Sequence, residues 1–325
     1  MTGAAWRALV LLGAAAALGG RPGAQPPGVT PPDWASPRGV THGLPPDSVT
    51  LRHVPGSPVA FTVVGTRDLF SVPDWFPATH PPMPPVVAHG RRPAVWACGY
   101  CHLPDGAGRP ENAPLAGLPA DYIVRQVAAM RDGTRGSPWH AAGTPWSAMR
   151  AIAESTSDAE VAAAARYFAA VPLRRRARVV EAARIPRLLP AVGLYFFATE
   201  GGEEILGQRL VEVAGDATRH ELHDASVVYT TYAPPGSIAR GRTLALQGVP
   251  GTVAACASCH GAELRGVGSV PPLAGRSPSY LLRQLVSFAA GTRTGPVAAP
   301  MRAVAGALGI DDMIAAAAYA GSRTP

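Results

Sequence analysis

Lysine is missing from this 325-residue chain, so all of its 29 basic side chains are arginine, set against 22 acidic ones for a formal net charge of +7. The arginines are scattered apart from Arg174, Arg175 and Arg176. No basic helix or basic–aromatic stripe is present, which argues against nucleic acid as a partner. The surplus charge permits an anionic partner without demanding one. Aromatic residues reach only 6% and charged residues 16%. After residue 25 no run is long and apolar enough to cross a bilayer, which takes about 20 residues, so no transmembrane segment is expected in the mature chain. Glycine (36) and proline (35) are plentiful, yet their sum stays below the roughly 25–30% typical of low-complexity chains. Alanine-rich helices separated by long irregular stretches are expected, and at about 150 residues per domain the length suggests two domains.

Residues 1–25 carry Arg7, an apolar run from Ala8 to Leu18 and then a Gly/Pro-rich exit. This is the layout of a secretory signal peptide. The expected location is therefore the periplasm.

Only four cysteines occur, and they fall in two matching groups, Cys98-Gly99-Tyr100-Cys101-His102 and Cys256-Ala257-Ser258-Cys259-His260. A disulfide framework would give the two histidines no role. A zinc ribbon expects about 15–20 residues between cysteine pairs, whereas Cys101 and Cys256 lie far outside that spacing. Covalent attachment of a c-type haem accounts for all six residues: each thiol adds to a vinyl group, and the histidine is delivered to the iron as an axial ligand. Two covalently attached haem c groups are expected, on Cys98, Cys101, Cys256 and Cys259, with His102 and His260 on iron.

The chain following each motif repeats at a constant separation of 158 residues. Pro114-Leu115-Ala116-Gly117, Tyr122, Arg125-Gln126 and Gly133-Thr134-Arg135 recur as Pro272-Leu273-Ala274-Gly275, Tyr280, Arg283-Gln284 and Gly291-Thr292-Arg293. The repeat period is thus a whole domain. A helix is predicted in each window, with Pro119 or Pro278 in its first turn and Gly133 or Gly291 as its stop. A closing helix is predicted from Ser157, which opens the capping-box pattern Ser157-x-x-Glu160, to Ala170, and its counterpart carries Asp311 and Asp312 in its first turn.

The repeat also sorts the methionines. Met130 falls opposite Phe288 and Met313 opposite Val161, the behaviour of core residues. Met149 and Met301 fall opposite one another, each 18 residues before a tyrosine, Tyr167 and Tyr319. They are the candidate sixth ligands; the competing readings are core packing with an open iron, or His140 as ligand in the first domain.

These motifs resemble the class I cytochromes c, in particular two-haem cytochromes of the c4 kind. The resemblance implies a mainly α fold of two tandem class I cytochrome c domains, at residues 81–171 and 236–322. A Pro-rich segment (26–80) and a connecting segment (172–235) lie outside it, with strand-like patches at Val59 to Val64, Gln208 to Val213 and Ser226 to Tyr232. It further implies that the carbonyls of Pro114 and Pro272 accept a bond from the two histidines, that Tyr122 and Tyr280 lie close around the haems, and that Gly90 and Gly241 of the first helices pack on Tyr167 and Tyr319. The connecting segment is long enough that the family's haem-to-haem arrangement does not carry over. The function implied is an electron carrier with no catalytic residues, exchanging single electrons with redox proteins of a dehydrogenase or terminal oxidase chain. The alternatives are a dihaem redox enzyme of the peroxidase or thiosulfate dehydrogenase type, and a haem-bearing structural partner.

Overall fold

The computed structural model describes residues 29–39, 44–139, 141, 143–191 and 195–325. The signal-peptide reading of residues 1–25 and the rival ligand His140 lie outside these residues. The fold is helical with one mixed sheet, and each haem motif sits in its own helical half.

The second half is the more regular. Helices α7 (Ser237–Gln247), α8 (Ala257–His260), α9 (Pro278–Ala289), α10 (Ala299–Gly306) and α11 (Ile310–Ser322) surround a core containing Leu244, Leu282, Val286, Met313 and Ile314. Gly241 is what lets α7 cross α11 so closely. A Cβ there would lie 2.0 Å from the Ala315 carbonyl oxygen and 2.6 Å from Tyr319 Cβ.

The first half repeats this plan with α1 (Pro85–Ala88), α2 (Cys98–His102), α3 (Ala120–Arg131), α4 (Pro145–Ser155) and α5 (Asp158–Ala170). Ser157 caps α5 through the expected box with Glu160, and Gly133 and Gly291 take the left-handed conformation that ends their helices. Pro278 stands in the first turn of α9, whereas Pro119 is the N-cap residue of α3. The first helix departs most. Pro81, Pro82, Pro84 and Pro85 crowd its start, and proline lacks the N–H and clashes with the preceding turn, so α1 has 4 residues where α7 has 11.

That truncation corrects one expectation. Gly90 does not pack on Tyr167: it has a φ of +62°, and a Cβ on it would strike the Val95 oxygen at 2.1 Å. Its equivalent is Gly248, with a φ of +69° and the Val253 oxygen at 2.1 Å, 158 residues on. Both glycines open a short antiparallel turn, Arg91 with Val95 and Val249 with Val253. The residue at the place of Gly241 is Met83, which packs against the first core.

Between the halves runs a five-stranded sheet of β1 (Ala177–Glu181), β2 (Arg184–Pro190), β3 (Phe196–Ile205), β4 (Val211–Ala214) and β5 (Tyr229–Ala233), in the order β1-β5-β4-β3-β2. The β1/β5 and β3/β4 pairs are parallel and the others antiparallel. Helix α6 (Ala217–Glu221) joins β4 to β5. The expected strands at Gln208 to Val213 and Ser226 to Tyr232 correspond to β4 and β5. The one expected at Val59 to Val64 does not form: only the bridge of Arg52 with Phe61 exists there, and the backbone turns into a 3-10 helix at Gly65–Arg67. This N-terminal segment holds its place by side chains, with Val54, Val63 and Trp75 buried on Leu222 and the Trp75 Nε1 donating to the Leu222 carbonyl at 2.8 Å. Among the described residues no single helix is long and apolar enough to cross a membrane.

Candidate haem sites and the interface between them

In the first half, Cys98, Cys101, His102 and Met149 line one cavity of about 930 Å³. Its walls include Ile123, Val127, Trp146, Ile152, Val161 and Phe168. That volume is at the upper end of cofactor sites, about 300–1,000 Å³. The His102 Nδ1 lies 2.8 Å from the Ala113 carbonyl oxygen, which fixes the ring and leaves Nε2 for iron, the bond a metal-ligating histidine makes with its other nitrogen. Burial holds His102 below the usual imidazole value and so keeps it in the neutral, ligating form. Burial also pushes the thiols up, Cys98 to about 12 and Cys101 to about 11. Two desolvated thiols, a tethered neutral imidazole and a thioether side chain around an apolar chamber match the donor set of a covalent haem with mixed axial ligands.

In the second half, the His260 Nδ1 lies 2.8 Å from the Pro271 carbonyl oxygen, and burial depresses His260 likewise. Cys256 faces the end of α7, its Sγ 3.9 Å from the Leu244 oxygen. Met301 sits half-buried on α10, as Met149 does on α4. Met130 and Met313 are buried core residues, as their mismatch across the repeat implies. The loops after the two histidines are superimposable bond by bond. Gly108 N donates to the His102 oxygen at 3.0 Å and Gly266 N to the His260 oxygen at 2.8 Å, while Leu115 and Leu273 donate to Gly106 and Leu264, each at 2.8 Å.

Both histidine bonds land one residue earlier than expected, on Ala113 and Pro271 instead of Pro114 and Pro272. The displaced carbonyls have another partner, Arg276. This side chain is 3% exposed and donates from Nε to the Pro272 oxygen at 2.7 Å, from Nη1 to Pro114 at 2.6 Å and from Nη2 to Ala116 at 2.9 Å. One guanidinium thus ties together the two loops that hold the two histidines. Burial lowers it to about 10. Its counterpart in the first half is Leu118, so a cation standing where the repeat has leucine was the signal in the sequence.

The block of identities across the repeat has a geometric cause. Gly136 N donates to the Thr292 oxygen at 2.6 Å, and Thr294 N returns the bond to Thr134 at 2.7 Å. Arg293 Nη2 reaches the Gln126 oxygen at 2.6 Å, and Arg135 Nη2 reaches the Gln284 oxygen at 3.5 Å and the Tyr280 hydroxyl at 3.0 Å. Each contact recurs with the halves exchanged, which is an isologous interface between two copies on one chain. A patch that meets its own counterpart must suit both roles at once, so Gln126/Gln284 and Arg135/Arg293 match. Tyr122 and Tyr280 lie at this seam and line the first cavity together with Gln126, Arg135 and Gln284. The connecting segment therefore does not hold the halves apart; it packs beside them.

That segment also covers the first motif. The His223 ring lies 4.5 Å from the Tyr100 ring, and its Nδ1 is 3.1 Å from the Tyr100 oxygen. His220 and His223 are both driven far below the usual imidazole value by burial. His220 stacks 3.8 Å from Tyr195, and its Nδ1 lies 2.9 Å from the Tyr229 hydroxyl.

Two Cys-x-x-Cys-His motifs in two helical halves joined face to face present, twice over, the donor set that a covalently bound haem requires. No protein-family model matches the chain. It is similar to the "Thiosulfate dehydrogenase electron acceptor" of Stutzerimonas stutzeri, 29% identical over 234 residues, 71% of this chain and 80% of that protein. It is also similar to cytochrome c4 of Azotobacter vinelandii, 27% identical over 226 residues, 68% of this chain and 82% of that one. Among solved structures, the thiosulfate dehydrogenase TsdBA from Marichromatium purpuratum matches with a TM-score of 0.50 and 29% identity over 72% of this chain; the chain spans 38% of that one.

Proposed function

We propose that this chain is a periplasmic electron carrier serving a dehydrogenase of the thiosulfate-oxidising kind, with two class I cytochrome c domains at residues 81–171 and 236–322. Cys98, Cys101 and His102 with Met149 would hold one haem, and Cys256, Cys259 and His260 with Met301 the other. Bound haem iron supplies one-electron ferric/ferrous chemistry, and a methionine ligand raises its potential. The polypeptide fixes both imidazoles through Ala113 and Pro271. It also places Arg135 on the wall of the first cavity as a cation for a haem carboxylate. The observation that carries this reading is the shared cavity of Cys98, Cys101, His102 and Met149, whose donor set is repeated in sequence around Met301. The names of the relatives, an electron acceptor and a cytochrome c4, support a carrier over an enzyme. In the ferric protein, replacing Met149 or Met301 by alanine is expected to remove half of the sulfur-to-iron charge-transfer absorbance. Loss of all of it on one change, or of none on either, refutes the ligand assignment.

A further inference from the structure

One end of the first cavity is polar. Ser36, Arg109, Glu111, Asn112 and His220 line it, and Ser36 Oγ, Arg109 Nε, Glu111 Oε2, Asn112 Oδ1 and His220 Nε2 are buried atoms that make no hydrogen bond within the described residues. His220 is only 1% exposed. A buried donor or acceptor without a partner costs its full desolvation penalty, and several such atoms converging on one space call for an occupant that bonds them.

These groups do not belong to the haem donor set. The loop that carries Arg109, Glu111 and Asn112 also holds His102 Nδ1 through Ala113, on the side of the ring away from the nitrogen left for iron. Cys101 feels the charges of Arg109 and Glu111, which places them where the thiols sit; the edge of a haem that bonds thiols carries vinyl carbons and no oxygen, and its carboxylates are on the opposite edge. The repeat agrees. The counterparts of Arg109, Glu111 and Asn112 are Val267, Ser269 and Val270, so the second half has an equal set of thiols, imidazole and thioether without this cluster. Ser36 and His220 come from the N-terminal and connecting segments, outside the repeat.

The cluster has a definite chemistry. Arg109 Nε lies 2.9 Å from Glu111 Oε1 but is not aligned to donate to it. Arg283 stands behind the same loop, its Nη2 donating to the Pro110 carbonyl, and Arg67, with a side chain 34% exposed, marks the way in, 4.0 Å from Glu221. The guanidiniums of Arg67, Arg109 and Arg283 thus outnumber the carboxylates of Glu111 and Glu221. Burial, with Arg109 beside it, keeps His220 neutral; the Tyr229 hydroxyl, 2.9 Å from Nδ1, donates there and assigns the ring proton to Nε2. Surplus positive charge favours an anion, and Arg109 Nε and His220 Nε2 are donors for it. Glu111 Oε2 and Asn112 Oδ1 are acceptors, so a bare anion would leave them facing lone pairs. An oxoanion that keeps one hydroxyl proton bonds both kinds of atom.

We propose that this polar end of the first cavity binds a small oxoanion bearing a hydroxyl proton, of the hydrogenphosphate type, with Arg109 and His220 donating to it and Glu111 and Asn112 accepting from it. Binding is non-covalent and stands apart from electron carriage.

Calorimetric titration of the mature protein with both haems tests this, near neutral pH and at constant ionic strength, with inorganic phosphate as probe and sulfate, a similar anion without the proton, as comparison. Phosphate should bind once per chain and sulfate about tenfold or more weakly, because a site built around a hydroxyl rejects the analogue lacking it. Arg109→Val, the residue the repeat carries at this place, should weaken phosphate about tenfold or more, the value of a bond from a charged donor. Glu111→Gln removes the negative charge and can turn an amide N–H to the anion, so it should raise sulfate affinity to that of phosphate, a gain that a misfolded variant cannot show. Arg174→Ala, on an exposed arginine away from the cavity lining, should change neither. No saturable phosphate binding, equal affinities for the two anions in the wild type, or equal effects of Arg109→Val and Arg174→Ala would overturn the proposal and leave the electron-carrier reading intact.

Discussion

Replacing Arg276 by leucine, the residue the repeat places at its counterpart Leu118, removes a side chain that bonds both haem loops. Three hydrogen bonds at 2.6–2.9 Å are lost, and bonds from a charged donor contribute about 1.5–3 kcal/mol each, roughly 4–9 in total. Against this, burial lowers the guanidinium from 12.5 to about 10, a desolvation cost of roughly 3 kcal/mol at about 1.4 kcal/mol per unit, which leucine does not bear. The bonds outweigh that cost, because the buried carbonyls of Pro114 and Ala116 and the partly buried one of Pro272 would be left without this donor. A net loss of about 3 kcal/mol follows, or a fall in Tm of about 6 °C, the low end of the scaling for chains of 150–250 residues because this one is longer. Calorimetry of the holoprotein measures it. Because the carbonyls of Ala113 and Pro271, next to Pro114 and Pro272, hold His102 and His260, both reduction potentials should move together in the same variant. Arg276→Lys, which can reach one or two of the three oxygens, should fall between. A Tm equal to or above that of the wild type, with both potentials unchanged, would refute the reasoning.

Two further outcomes are expected from the packing and titration of the fold. Gly241→Ala would force its Cβ into the Ala315 oxygen at 2.0 Å and should destabilise the second half by about 1–3 kcal/mol or more, while Gly306→Ala, with nothing within 4 Å, should be neutral in the same denaturant titration. His80 is raised above 6.5, chiefly by its hydrogen bond to Asp74, so its contribution is fully present below about pH 6.5 and is lost as pH rises through the raised value; it amounts to less than about 1 kcal/mol because the site is partly solvated. Asp74→Asn should abolish that pH dependence of stability, measured by urea titration from pH 6 to 9.

Both haem motifs, the helices after them, the capping box at Ser157 and the helix-stopping glycines were legible in the chain, because each is set by residues adjacent in sequence. The lost turns of the first helix were legible only in part: the prolines from Pro81 to Pro85 were plain, but the likeness of Ala88-His89-Gly90-Arg91 to Ala239-Arg240-Gly241-Arg242 matched Gly90 with Gly241, whereas its distance from the haem motif is that of Gly248. The sheet was read only at β4 and β5. Strands β2 and β3 carry charges and glycines on an exposed side, as in the Gly201-Gly202 stretch of β3, and β1 takes its register from the distant β5. Pairing between halves was equally hidden. Tyr122, Gln126 and Arg135 were visible as identities, but that the two copies face each other is a tertiary fact, and Arg276 acquires its meaning only when loops 162 residues apart are brought together.

The mass of the intact mature protein, measured under denaturing conditions that strip any non-covalent group, tests the central claim most directly. Four thioether bonds at Cys98, Cys101, Cys256 and Cys259 predict the polypeptide plus two haems, with no free thiol left to alkylate. A mass equal to the bare polypeptide, or one with four cysteines open to alkylation, would contradict the account.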